Sequence, residues 1–285
     1  MLGGEGLSMH HDVMGVDLGG TRLRLQAGGC KAQLDTGSQF APQDLLQGLT
    51  DFVARHQLRP TRIGLAVPGL VGADGQVVAC DVLPAFTGWQ AQLGLTDLCG
   101  VVTVLNDVEA ALLDEAHDAP PGHIGAVVMV GTAIGAAFMV DGKSVRGASG
   151  WAGELGYWPL AVGSGQVRRL DDLAGGAALA TACGVSSAQL AAQAATADPT
   201  TLQAIATSGR FLGLGLAALI HLLNPARLAV GGGTVDLPGY WDAAYAAARE
   251  HTLAQLWADC TLTRVRSGAS AVVNGAVRAA QASSL

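Results

Sequence analysis

The residues of this chain that could do chemistry stand at the ends of apolar runs, beside glycines. The first group is Asp17, Gly19, Gly20 and Thr21, within "VMGVDLGGTRLRLQAG". A Gly-Gly turn lets the backbone come close to a ligand, and successive N–H groups in such a turn can cradle phosphate oxygens. An acid at a strand end can hold Mg²⁺ through water, because that ion gives up its hydration shell reluctantly. The same residues also read as an ordinary hairpin, with Asp17 a solvated turn residue. The dinucleotide fingerprint does not fit: it needs glycines that open a helix, and a strand-like segment follows here. Gly131 and Thr132, in "VGTAIGAAF", form a second strand-turn-strand that could meet phosphates with an N–H and a hydroxyl, or be a buried hairpin with packing glycines. Gly231, Gly232 and Gly233, in "LAVGGGTVD", make a third turn after a strand. A nucleotide base or ribose could lie against it, or it could be a plain strand-to-helix loop.

The carboxylates have similar double readings. Asn106-Asp107 sits where a strand gives way to "VEAALLDEA". That position suits a helix N-cap. It equally suits a general base, since ligands of α/β sheets bind at the C-terminal ends of strands and a helix N-terminus favours an ionised side chain. Glu154, among the glycines of "GASGWAGELGYWPL", could accept sugar hydroxyls or bind loop N–H groups. Asp171 and Asp172 could cap the helix that follows. The histidines show no metal-ligand spacing, and no two of the five cysteines form a CxxC pair, so neither a disulfide framework nor a zinc knot is expected.

These residues need elements to position them. Val13–Leu18 and Arg22–Gln26 read as two strands joined by the Gly-Gly turn, Gln43–His56 as an amphipathic helix, and Arg62–Val67 and Val101–Leu105 as further strands. The same grammar restarts at Gly125 with a strand, a glycine-bearing turn and a second strand ending at Asp141-Gly142. Helices are predicted over Leu170–Thr181, Ser187–Ala197, Leu202–Leu223, Trp241–Trp257 and Ala271–Ala282. This is a repeat of structure rather than of residues. It predicts two related α/β lobes with a cleft between them: residues 12–108, completed by a returning helix at 271–285, and residues 109–270.

Composition removes several classes. Half of the 285 residues are hydrophobic and only 14% are charged, so a large core is expected and extensive disorder is not. The net charge is −7, and lysine occurs only at Lys31 and Lys143. A nucleic-acid or membrane-surface binder needs a basic stripe, and none appears. The first dozen residues have no signal-peptide pattern, and the longest apolar runs, Val127–Val140 and Phe211–Leu223, fall short of the ~20 residues of a membrane span. A reducing cytoplasm is the expected setting, with neither nucleic acid nor membrane as partner.

Taken in order, "GVDLGGTRLRL", "LAVPGLVGADG", "VLNDVEAALLDEA", "VVMVGTAIGAAFMVDGKSVRGASGWAGELGYWPL" and "LNPARLAVGGG" resemble the ROK family of sugar kinases, within the actin/hexokinase/Hsp70-like superfamily. The resemblance runs from Val13 to Ala282. It implies a two-lobed, ribonuclease H-like ATPase fold that binds ATP and Mg²⁺ and phosphorylates a hexose or N-acetylhexosamine, glucokinase-like, at the primary hydroxyl. By position, Asp17, Gly19, Gly20 and Thr21 match the first phosphate motif, with Asp17 on hydrated Mg²⁺. Gly131 and Thr132 match the second, and Gly231, Gly232 and Gly233 the adenosine motif. Asp107 matches the catalytic base, Asn106 a sugar-binding asparagine, Glu154 a sugar-hydroxyl acceptor, and Asp171 a sugar-contacting glutamate. Asp81 is the nearest sugar-loop candidate in "CDVLPAFTGW". A homodimer would suit the family.

The chain also departs from the pattern. Tyr157 stands where the family has a histidine that touches sugar and zinc, and "YWPLAVGSGQVRRLDD" lacks the family's three zinc cysteines. Zinc is therefore not expected, and packing of Tyr157 and Trp158 is expected to hold the loop. Ala133 replaces the third residue of a Gly-Thr-Gly turn, which costs little if φ is negative there. Three rivals remain on the sequence. A sugar-responsive repressor would carry a winged helix ahead of the phosphate motif. A sugar-binding protein without catalysis would account for the lost histidine. A polyphosphate-dependent kinase would need a basic track.

Overall fold

The computed structural model describes residues 12–163 and 165–282. In chain order the first elements are β1 (Val13–Leu18), β2 (Arg22–Ala27), β3 (Cys30–Asp35), α1 (Pro42–Arg55), β4 (Arg62–Val67), β5 (Leu70–Val71), β6 (Val77–Ala79), α2 (Ala91–Gly94), β7 (Val101–Asn106) and α3 (Asp107–Glu115). Then come β8 (Ile124–Val130), β9 (Ile134–Val140), β10 (Lys143–Ser144), β11 (Pro159–Ala161), β12 (Val167–Arg169), α4 (Asp171–Ala174), α5 (Gly176–Ala182), α6 (Ser187–Ala195) and α7 (Pro199–Leu223). The chain closes with β13 (Arg227–Gly231), α8 (Tyr240–His251), α9 (Ala254–Asp259), β14 (Thr261–Arg264) and α10 (Ala271–Ala282).

The chain forms two compact units. Among the described residues, one takes 12–117, Arg146–Trp151 and 270–282; the other takes Asp118–Val145, 152–163 and 165–269. The two sheets have the same plan. Their strand orders are β3-β2-β1-β4-β7 and β10-β9-β8-β13-β14. In each, the opening hairpin is antiparallel, one later strand joins its first strand in parallel, and another joins that strand in parallel. The structural repeat read from the sequence is thus present. The sequence reading did not include β3, although its apolar and polar residues alternate; β10 and β14 are too short to show a pattern and emerge only in the sheets.

In the first unit, α1 begins at Pro42 and buries Leu45, Leu49 and Phe52, one helical face, against Met14, Val16, Leu18, Leu23 and Leu25. Helix α10 covers the opposite face of the sheet. It lies so close that a Cβ at Gly64 would collide with the carbonyl of Ala276, and one at Gly275 with the carbonyl of Ala110 in α3. Arg278 of α10 also donates to the buried Asp114 of α3, at 3.2 Å. That packing corrects the expected break at residue 108: α3 stays with the first unit because α10 is its partner. Arg146 brings a second stretch there, donating to the Val71 carbonyl at 3.2 Å and lying 3.7 Å from Glu109.

In the second unit, α7 and α8 pack through Gly209 and Gly213, which sit against the carbonyls of Tyr240 and Ala244. The 25-residue α7 is capped by Asp198, which accepts from Thr201 N–H at 2.8 Å, and ends at left-handed Asn224 before Pro225. By length and composition α7 could cross a membrane; 56% of its most apolar window is buried within the protein, with Ile205, Leu212, Leu216 and Ile220 in the core.

Two predicted helices are each divided. Leu170–Thr181 breaks at Gly175, whose ψ is 150°, and Trp241–Trp257 breaks at Thr252, whose ψ is 137°. The buried Tyr240 hydroxyl donates to the Ala174 carbonyl at 2.6 Å, tying α8 to the first break. Tyr240→Phe leaves that carbonyl unpaired and is expected to lower stability by about 1–3 kcal/mol, read as a shifted urea midpoint at constant slope.

Candidate active site

The first unit places its candidates along one edge of its sheet. Register pairs Asp17 of β1 with Ala66 of β4, and Val67 of β4 with Asn106 of β7. Asp17 and Asn106 therefore mark the C-terminal ends of parallel strands, where α/β proteins bind ligands. Asp17 is not a solvated turn residue. Its carboxylate is 7% exposed and accepts from Arg24 Nη1 at 3.0 Å, because Arg24 lies directly opposite on β2. Burial raises the Asp17 pKa, and the Arg24 charge and hydrogen bond oppose that rise.

Gly19 closes the turn by donating to the Arg22 carbonyl at 2.9 Å, while Thr36 Oγ1 donates to the Gly19 carbonyl at 2.6 Å. Neither Gly19 nor Gly20 is left-handed. Gly20 is needed for a different reason: a side chain there would run into Val82. This contact sets the turn against the loop carrying Asp81, which is exposed, as is Thr21.

Asn106, rather than Asp107, is the N-cap of α3. Its Oδ1 accepts from Val108 N–H at 2.8 Å, and its Nδ2 donates to the Gly69 carbonyl at 3.0 Å. Asp107 is the first helical residue, half-buried, and accepts from Val108 N–H at 2.9 Å. Burial, then the charges of Asp107 and Asp81, push the Cys80 thiol pKa up, while hydrogen bonds from the neighbouring backbone pull against them.

The second unit brings three loops together. The Gly131 carbonyl accepts from Gly176 N–H at 2.9 Å and from Thr234 Oγ1 at 3.0 Å. The Thr132 carbonyl accepts from Ala177 N–H at 3.1 Å. Gly131 and Gly231 stand at the ends of parallel β8 and β13. Gly232 is left-handed, with φ of 100°, and any side chain there would strike the Val130 carbonyl. Open space faces Gly131 and Gly233, where a Cβ would meet nothing within 4 Å. Ala133 is not left-handed, so it fits the turn without strain. Thr234, Gly175 and Gly176 escaped the sequence reading, although a hydroxyl directly after three glycines is a usable signal.

Glu154 and Asp171 are neighbours. Asp171 does not cap α4; its Oδ1 accepts from Ile134 N–H at 2.7 Å, and its carboxylate presses on Gly156. Burial raises the Glu154 pKa above its ordinary 4.5, and the Asp171 charge raises it further. Burial also raises the Asp171 pKa, with the Ile134 N–H pulling against it. The expected packing of Tyr157 and Trp158 is corrected here: the two are 55% and 37% exposed. The β11–β12 hairpin orders the loop instead, with the Arg169 guanidinium 4.4 Å from the Tyr157 ring centre.

The chain belongs to the ROK family, whose profile matches residues 13–283. It is 26% identical over 242 residues to the kanosamine kinase of Amycolatopsis mediterranei, covering 77% of this chain and 80% of that protein. The fold is similar to that of a ROK hexokinase from Thermus thermophilus, with TM-score 0.75, 28% identity, and 94% and 97% of the two chains covered. It is also similar to that of a ROK family glucokinase from Streptomyces griseus in complex with glucose and AMPPNP, with TM-score 0.77, 21% identity, and 95% and 99% covered. The architecture is therefore the two-lobed actin-like ATPase fold, and the relatives are sugar kinases.

Proposed function

We propose that this protein is an ATP-dependent kinase that phosphorylates a hexose or N-acetylhexosamine, at the primary O6 hydroxyl. The observation that carries the reading is Asp107, a half-buried carboxylate at the C-terminal edge of a parallel sheet, on the same edge as the Asp17 turn. Asp107 takes the proton from the sugar hydroxyl as that oxygen attacks the γ-phosphorus; the bond from that phosphorus to the β,γ-bridging oxygen breaks and ADP leaves. The residues proposed to contact the sugar are Asn106 and Asp81 in the first unit and Glu154, Asp171 and Tyr157 in the second. The turns proposed to contact the nucleotide are Gly19–Thr21 in the first unit and Gly131-Thr132 and Gly231–Gly233 in the second. Phosphoryl transfer depends on this kind of positioning and charge stabilisation more than on covalent chemistry. The buried Asp17 carboxylate beside an exposed turn is a hard oxygen donor and suits Mg²⁺ bound through water. When bound, that ion would neutralise phosphate charge.

The direct test is ADP release with glucose, mannose, fructose, N-acetylglucosamine and N-acetylmannosamine, without added zinc, followed by phosphorus NMR to locate the new ester. ATP consumption with none of them would refute the assignment. A second reading, a sugar-binding protein with weakened catalysis, is favoured by Asn106, whose amide is already engaged at both ends. Sugar binding without turnover would support it. We further place the protein in a reducing cytoplasm, as a homodimer; its five cysteines are all unpaired, which suits that compartment. Light scattering tests the dimer.

Protonation offers another check. Ionised, Glu154 can accept hydrogen bonds from sugar hydroxyls at both oxygens; protonation removes the charge and turns one oxygen into a donor, and the Glu154 pKa is raised. As pH falls through that value, the sugar KM should rise, with the acid limb above the ordinary glutamate value of 4.5. Glu154→Gln should have a high sugar KM at neutral pH and lose that limb. An unchanged acid limb in this variant would remove Glu154 from the sugar site.

A further inference from the structure

Arg169 was not among the residues assigned above, yet its placement is specific. Strand β12 pairs with β11 so that Arg169 lies opposite Pro159, and Leu170 N–H continues the ladder to the Trp158 carbonyl at 2.9 Å. This register carries the guanidinium back over Tyr157, 4.4 Å from the ring centre. The same turn begins at Glu154, whose carbonyl accepts from Tyr157 N–H at 3.1 Å, and Asp171 presses on Gly156 within it. One cation, one aromatic ring and two carboxylates thus share a single turn and the hairpin that follows it. Tyr157 is 55% exposed although Arg169 lies over one face of its ring.

We propose that Arg169 is a positioning residue for the carbohydrate, clamping Tyr157 so that its open face forms a wall beside Glu154 and Asp171. The inference rests on the sugar-kinase reading and deepens it. The matching substrate is a pyranose that turns C–H bonds to the ring and hydroxyls to the carboxylates. C–H hydrogens carry partial positive charge and meet the negative face of the ring favourably. An exposed tyrosine held by nothing would lose rotamer freedom on binding, and that loss weakens affinity. Arg169 has already ordered it. A planar guanidinium suits this stacking better than an ammonium.

The test is a double-mutant cycle on sugar affinity, with glucose and N-acetylglucosamine as titrants in calorimetry. The proteins are wild type, Tyr157→Leu, Arg169→Met and the double variant, with Arg169→Lys as the conservative control. Arg169→Met should raise the sugar Kd by about two- to fivefold, the strength of an exposed cation–π contact. The sugar KM should follow, while kcat and the ATP KM stay within about twofold. Arg169→Lys should recover part of the loss. The double variant should bind no more weakly than Tyr157→Leu alone, because the clamp has nothing left to hold. This comparison also separates clamping from the effect of the Arg169 charge on Asp171, which would persist without the ring. Normal wild-type sugar binding with fully additive effects would overturn the clamp alone. A wild type that neither binds nor phosphorylates any sugar would overturn the kinase reading and this inference together.

Discussion

Replacing Asp107 by asparagine is expected to cut kcat by about 10²–10⁴-fold or more, the range for loss of general acid–base assistance. Folding should survive. Asparagine keeps an oxygen able to accept from Val108 N–H, the bond that Asp107 makes now at 2.9 Å. The cap of α3 comes from Asn106 and is untouched. Sugar and nucleotide affinities should change little, because the lost function is proton acceptance during transfer. The measurements are ADP release at saturating substrate, sugar binding by calorimetry, and the melting temperature. A variant with wild-type kcat would show that another group takes the proton.

Gly64→Ala should be among the most destabilising single-methyl additions available to this chain. The new Cβ would occupy the space of the Ala276 backbone carbonyl. A backbone atom cannot swing aside as a side-chain tip can, so α10 must lift from the sheet. Overpacking of this kind costs about 3 kcal/mol, the upper part of its usual range. Lifting α10 also strains the Arg278–Asp114 pair and would leave a buried carboxylate less well compensated. The expected fall in Tm is about 5–10 °C. Gly37→Ala is the control: a Cβ there meets nothing within 4 Å, and its effect should stay within about 0.5 kcal/mol. Equal melting of the two variants would refute the close docking of α10.

Much of the fold could be read directly. The apolar run ending at Asp17, the Gly-Gly turn and the alternation of Leu23 and Leu25 specify a hairpin, because side chains in a strand point to opposite faces in turn. Helix α1 was legible from Leu45, Leu49 and Phe52, which repeat at the helical period. Strand β3 was overlooked although Cys30, Ala32 and Leu34 alternate with Lys31, Gln33 and Asp35; β14 is only four residues, too short for a pattern to stand out. The break at Gly175 had a usable signal in the Gly175-Gly176 pair, since glycine disfavours a helix interior; the break at Thr252 had no comparable marker.

The candidate site divides along the same line. Motif order gave the residue types and the turns that carry them, because a glycine turn after a buried strand is a local property of the chain. Which face each side chain takes depends on partners distant in sequence. The pairing of β1 with β2 made Asp17 half of a buried ion pair. The start of α3 gave the capping role to Asn106 and left Asp107 as its first helical residue. The β11–β12 register brought Arg169 over Tyr157. Local pattern determines turns and periodicity; cross-strand register and helix docking decide burial, charge partners and ring contacts, and these are set only when separate segments pack together.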